Sequence, residues 1–207
     1  LYKMRPEMEE TVKLAATLKF PQFERDTEYI ALVNDTDEYP FLEGDVGSTD
    51  GKRWKKKDYR QVTNEFVVQH SSAKFCKANR DSYMVGALAR FNLNQEKLHP
   101  KAKAVAEAIG MKGIVKNPYL NTAAQLIESV HCLEDGIRIL EEFKKKGVDP
   151  SEAIVVGLNE TGKVKVHAGS GVGAVEVPRG ILFHHYDVDS AGKIVNANCI
   201  IPTGQNL

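Results

Sequence analysis

Cysteine is scarce in this chain and forms no paired motif. Cys76, Cys132 and Cys199 are the only cysteines among 207 residues. They are far apart and odd in number, which argues against a disulfide framework and for a reducing compartment, with the cytoplasm as the expected location. No C-x-x-C pair occurs. Net charge is absent too: 28 Lys and Arg balance 28 Asp and Glu, so no strong basic field recruits nucleic acid. Apolar runs are short and interrupted, and none is long enough for a membrane span. No signal peptide opens the chain, which starts at Leu1 rather than at a methionine and is expected to be a piece of a longer protein. The length allows one domain or two small ones with a buried core.

What is present reads as α+β, helices with small antiparallel β units. As a single fragment it divides into a helix plus β-rich part over residues 1–98, a helical part over 99–147 and a β-rich part over 148–207. Arg5 to Lys19 predicts a helix, with Pro6 in its first turn, acidic residues near its positive end and a stripe of Met8, Val12, Ala15 and Leu18. Glu28 to Val33 and Tyr39 to Leu42 read as strands around a polar turn. Gly44 to Gly51 reads as a loop, and Phe66 to Val68 ends a weakly alternating strand. Tyr83 to Leu93 reads as a strand-and-turn unit whose Arg90 pairs with a carboxylate or a carbonyl. His99-Pro100 opens a helix that Gly110 closes. Asn117 caps a long helix, with Pro118 at its first position, running to Lys146 and stopped by Gly147. Beyond Asp149-Pro150, Ala153 to Val156 forms either a helical turn or a buried strand.

Several clusters invite chemistry and are better explained as structure. Arg53 to Lys57 is basic with one aromatic, the pattern of a solvated edge. Asp45 and Asp50 do not have calcium-loop spacing. His70, Ser71, Ser72 and Lys74 are adjacent in sequence and point in different directions on a strand or turn. His131 lies on the apolar stripe of the long helix and is expected to pack there rather than bind metal with Glu134 or Asp135. Gly169, Gly171 and Ala174 match G-x-G-x-x-A after a strand-like Lys163 to Val166. That dinucleotide fingerprint needs a helix next, and Pro178 would break it. The glycines would instead let the backbone pass close to neighbouring chain or to a metal pocket.

The richest stretch is Gly173 to Asn206. Ile181 to Tyr186 and the run into Ile200-Ile201 flank Asp189-Ser190-Ala191-Gly192, which has turn chemistry. Paired antiparallel, these runs would set Pro178-Arg179 beside Pro202-Thr203. That places a fixed cation and a hydroxyl at one spot, each next to a stiffening proline.

Three segments stand out, S-Y-M-V-G-A-L-A-R-F-N-L, then E-V-P-R-G-I-L-F-H-H, then G-K-I-x-x-x-x-x-I-x-P-T-x-x-N, and in these motifs and their order the chain resembles the large, catalytic subunit of nickel–iron hydrogenases. The H-H-Y and T-G-Q-N forms are most similar to its soluble, multi-subunit branch. The resemblance implies the fold shared by hydrogenase large subunits and the quinone-site subunit of complex I. It also implies reversible heterolytic cleavage of dihydrogen at a nickel–iron centre whose iron carries cyanide and carbon monoxide. Electrons would pass to an iron–sulfur small subunit and further electron-transfer subunits. By resemblance, Arg179 lies beside the metals, Thr203 hydrogen-bonds a cyanide, and backbone near Pro178 contributes to the same environment. Leu182 and Ile201 would wall the carbon monoxide. Polar groups at cyanide and apolar ones at carbon monoxide are a sensible division. Glu176 and His184 would relay protons or brace Arg179. A guanidinium is a poor base, so an electrostatic or positioning role suits Arg179 better.

Both family C-x-x-C motifs, which hold the metals, are missing. The chain is therefore expected to supply the shell around the metals without their ligands, to bind no metal by itself, to be inactive alone and to self-associate through uncovered surface. The rival readings are the metal-free quinone-site subunit and a non-catalytic scaffold or interaction module.

Overall fold

The computed structural model describes residues 1–147, 149 and 166–207. The segment Ala153 to Val156 and most of the strand-like run before Gly169 lie outside them.

The fold is built around one strand, β1 (Glu28–Val33). Its sequence E-Y-I-A-L-V is apolar on both faces, and Tyr29 through Leu32 are fully buried. Period-two alternation sends Tyr29 and Ala31 into one hydrophobic cluster and Ile30 and Leu32 into another. The first cluster is closed by helices α3 (Ala87–Asn94), α4 (Pro100–Ile109) and α5 (Asn121–Lys146). Helix α1 (Arg5–Thr17) adds Met8 and Val12, while Leu18 falls past its end and is exposed. The second cluster is closed by Tyr59, Val62 and Cys76 and by Ala174, Ile181, Phe183 and Ile200.

Around β1 the sheet runs β3-β2-β1-β6, with β2 (Asp45–Ser48) antiparallel to β1 and β6 (Tyr83–Met84) parallel to it; β3 is Arg53–Trp54. The partner of β1 is thus the segment expected to be a loop, not Tyr39 to Leu42. Gly47 is there for close approach: a Cβ on it would sit 2.6 Å from Val33 Cγ1. Tyr39 to Leu42 forms no strand; Pro40 lacks an N–H for a ladder, and buried Tyr39 turns inward to reach Glu128 on α5.

Two further readings change. Residues before β4 (Phe66–Val68) form a short helix, α2 (Arg60–Thr63), and β4 pairs in a hairpin with β5 (Ser71–Phe75). The A-L-A-R-F-N-L-N run is helix α3, not a turn unit, as suits its strong helix formers. The basic run is a charged edge: Arg53 pairs with Asp35 and Asp45, Lys55 with Asp45, and Lys56 with Glu43. Helix α4 forms as expected between His99 and Gly110, and α5 ends at Gly147 as expected, but Asn117 and Pro118 open a separate tight turn over Pro118–Leu120 and α5 itself begins at Asn121.

The last sheet is β7-β8-β9, antiparallel throughout, from β7 (Gly169–Val177), β8 (Gly180–Val188) and β9 (Ile194–Ile200). The Gly-rich segment is strand β7, so no nucleotide turn forms. A Cβ at Gly171 or Gly173 would meet nothing within 4 Å, so among the described residues no chain passes close to them. No helix among the described residues is long and apolar enough to cross a membrane.

Candidate functional site

Pro178 and Arg179 are the two-residue turn between β7 and β8, closed by the Val177–Gly180 pair. Proline fixes the first turn residue, and Gly180 follows at φ 135°, a value side-chain-bearing residues avoid. The turn therefore holds Arg179 out into solvent. Strand β9 pairs with β8 from Phe183–Ile200 outward. That register brings the start of helix α6 (Pro202–Gln205) to the same edge. Arg179 Nε donates to Thr203 Oγ1 at 2.9 Å. The juxtaposition expected from the strand pairing is present. Because Thr203 accepts from the guanidinium, its own O–H is free to donate elsewhere. Among the described residues, no side-chain partner takes the terminal N–H groups of Arg179.

A third segment locks this edge from behind. Tyr83 Oη donates to Gln205 Oε1 at 2.8 Å, and Gln205 Nε2 donates to the Ile181 carbonyl at 2.6 Å. Asn206 Oδ1 accepts the Val85 N–H at 2.9 Å, while its Nδ2 donates to the Arg179 carbonyl at 3.0 Å. Val85 and Gly86 press on the turn so closely that a Cβ on Gly180 would stand 2.3 Å from Val85 Cγ2. The three motif segments thus meet at one corner. Gln205 and Asn206 stood in the quoted T-G-Q-N and P-T-x-x-N motifs, but the sequence assigned their amides no role.

Glu176 does not touch Arg179. It points inward from β7, fully buried, with Oε1 accepting the Leu32 N–H at 2.7 Å and Oε2 accepting from Arg90 at 2.8 Å. Burial pushes its carboxyl up to about 7, and the neighbouring Arg90 offsets only part of that rise. Arg90, whose expected pairing was with a carboxylate or a carbonyl, has both: it also binds Glu128. Alternation explains the correction, since Glu176 and Arg179 leave the hairpin in different directions.

His184 is likewise away from Arg179. Its Nδ1 lies 2.6 Å from Tyr186 Oη and 3.5 Å from Cys199 Sγ on the open face of the sheet. His185 faces the other way, onto Tyr59 Oη at 3.1 Å. Leu182 shares the alternating face of His184 and is half-buried, while Ile201 continues β9 in extended form and is 52% exposed. These two offer apolar surface at the edge that carries Arg179 and Thr203.

The donor set divides sharply. Arg179, Thr203 and the apolar pair suit a shell around small anionic and neutral ligands. No group of three or more His, Cys, Asp or Glu among the described residues could hold a metal ion. Cys76 is a core residue whose thiol burial pushes up to about 12. His131 is packed, its Nδ1 accepting the His99 N–H at 2.9 Å.

Comparison with known proteins places the chain in a family. A family profile described as nickel-dependent hydrogenase covers residues 22–207. Sulfhydrogenase 1 subunit alpha of Pyrococcus furiosus is 32% identical over 218 residues, covering 100% of this chain and 48% of that protein. NAD-reducing hydrogenase HoxS subunit beta of Cupriavidus necator is 30% identical over 190 residues, 86% of this chain and 37% of that one. The fold is similar to a solved NAD+-reducing [NiFe]-hydrogenase, with a TM-score of 0.70 at 24% identity over 99% of this chain and 48% of that one. The chain spans about half the length or less of the curated relatives it matches.

Proposed function

The chain belongs to the nickel-dependent hydrogenase family, and on that premise we propose that it forms the shell around the metal site in the catalytic subunit of a nickel–iron hydrogenase. The intact enzyme would oxidise dihydrogen reversibly and pass electrons to an iron–sulfur partner subunit, in the cytoplasm. The observation that carries this reading is the Arg179–Thr203 pair, held at an open corner with donors to spare.

A nickel–iron centre with cyanide and carbon monoxide would supply the chemistry that splits dihydrogen. The residues of this chain would do the rest of the work around it. Arg179 provides a permanent positive charge and planar donors for anionic ligand atoms. Thr203 provides one hydroxyl donor, oriented because its oxygen already accepts from Arg179. Pro178 stiffens the turn and would sit beside the same ligands, its own carbonyl being turned inward to Arg90. Leu182 and Ile201 exclude water where a ligand accepts no hydrogen bond. The metal-binding thiolates would come from outside this chain, which lacks C-x-x-C pairs. Glu176 and His184, being away from Arg179, do not brace it directly. Exposed apolar residues such as Leu14, Val67, Ile194 and Val195 would promote self-association of the isolated chain.

The test is nickel and iron content of the full-length protein, matured with its native accessory machinery, with infrared spectra of the cyanide and carbon monoxide stretches. Wild type should carry both metals and the bands. Arg179→Lys should keep metal loading and lose most activity, because a point charge cannot reproduce a planar fork. Metal-free, band-free wild type would refute the reading.

A further inference from the structure

Behind the turn, buried Arg90 makes an unusually complete set of contacts. It is 1% exposed on α3. Nε and one terminal nitrogen grip Glu128 at 2.6 and 2.7 Å. The other terminal nitrogen binds Glu176 at 2.8 Å and the Val177 carbonyl at 2.9 Å. The fifth contact is to the Pro178 carbonyl at 3.3 Å. All five guanidinium donors are thereby used. The Pro178 carbonyl belongs to the peptide group that leads into Arg179. The peptide group leaving Arg179 is held by Asn206 Nδ2 at 3.0 Å.

We propose that Arg90 is a positioning residue for Arg179, fixing the peptide plane before it while Asn206 fixes the one after it. With both planes held, the Cα–Cβ direction of Arg179 is set before any ligand arrives, so little ordering is left for the side chain. The inference rests on the function proposed above.

Turn formation alone gives no reason for this arrangement. The hairpin is already closed by the Val177–Gly180 pair and by a proline at its first turn position. Burying a guanidinium with two carboxylates is costly in desolvation, and apolar side chains would fill the space at lower cost. What the ion cluster adds is a single backbone pose. Its anchors are themselves tied: Glu128 accepts from Tyr39 Oη at 2.9 Å, and Glu176 from the Leu32 N–H. A chain of contacts therefore runs from β1 and α5 through Arg90 to the turn. Lysine at this position keeps the charge and has only three donors for five acceptors. A cleft of about 410 Å³ borders Arg90, Glu128 and Pro178 and gives such a variant room to hydrate.

The test uses the full-length, metal-loaded protein and compares wild type with Arg90→Lys. Normal nickel and iron content, shifted cyanide bands, an unshifted carbon monoxide band and a kcat lowered by about 10²-fold are expected, the size typical of a misplaced catalytic group. Unchanged cyanide bands and kcat in folded, loaded Arg90→Lys would overturn the proposal. Should that variant fail to load metal, Glu128→Gln carries the test, since it keeps the shape and weakens one anchor. The same cyanide shift is then expected, and unchanged bands overturn the proposal. Wild type without metals or bands would instead refute the hydrogenase reading, and this inference with it.

Discussion

Gly180→Ala tests the corner where the three motif segments meet. The new Cβ would stand 2.3 Å from Val85 Cγ2, 2.7 Å from Val85 Cβ and 3.0 Å from the Gly86 nitrogen. The first two distances are shorter than real Cβ contacts and the third is tight, and the Val85 Cβ and Gly86 nitrogen cannot swing aside. Residue 180 also has φ 135°, costing a non-glycine residue about 1–3 kcal/mol. Overpacking of a filled site adds about 1–3 kcal/mol. Together the loss should be about 2–6 kcal/mol. Val85→Ala alone removes two buried methyl groups at a 1% exposed position, worth about 2 kcal/mol. In the double variant the 2.3 Å contact disappears, while the 2.7 Å contact with the Cβ of residue 85, the backbone strain and the Gly86 contact remain. The double variant should therefore cost less than the sum of the singles by about 1 kcal/mol or more. Equilibrium urea unfolding of the four proteins measures this. Strict additivity, or a Gly180→Ala cost below about 1 kcal/mol, would mean that the Arg179 turn does not rest on Val85 and Gly86. The convergence that builds the site would then be wrong.

Two further outcomes concern pH. Glu176 titrates near 7 when folded, against about 4.3 for an ordinary glutamate, so the native state binds more protons between those values. Stability relative to Glu176→Gln should be greatest below about 4.3 and fall by about 4 kcal/mol as pH rises through 7; a difference that stays flat from pH 4 to 8 would contradict the buried, ionisable site. His131 behaves oppositely. Burial lowers its pKa, and its Nδ1 accepts the His99 N–H, so stability present above about 6.5 is lost as pH falls through the folded pKa. His131→Leu should cost about 1–3 kcal/mol at pH 8 by stranding that N–H. It should also flatten thermal stability between pH 6.5 and 5, and an unchanged acid slope would count against the packed, neutral imidazole.

Where local rules suffice, sequence was enough. Helix ends followed from His99-Pro100, Gly110 and Gly147, because caps and stops act within a turn of the chain, whereas Asn117-Pro118 opened only the short turn ahead of α5. The hairpin around Asp189 to Gly192 followed from turn residues between extended runs. Its register then placed Arg179 beside Thr203, and antiparallel pairing leaves little freedom once the turn is known. The order of the motifs pointed to the family for the same reason: each is a short, local pattern.

Tertiary structure alone decided the rest. Strand β2 was hidden because its glycine, Gly47, answers to the side chain of Val33 across the sheet, not to a turn of its own. Helix α3 was hidden by the β-like residues that precede it. Glu176 was assigned to Arg179 three residues away, yet its partner is Arg90, 86 residues distant, which also takes Glu128 at a separation of 38. A buried charge must find partners wherever packing brings them, and sequence distance carries no record of that.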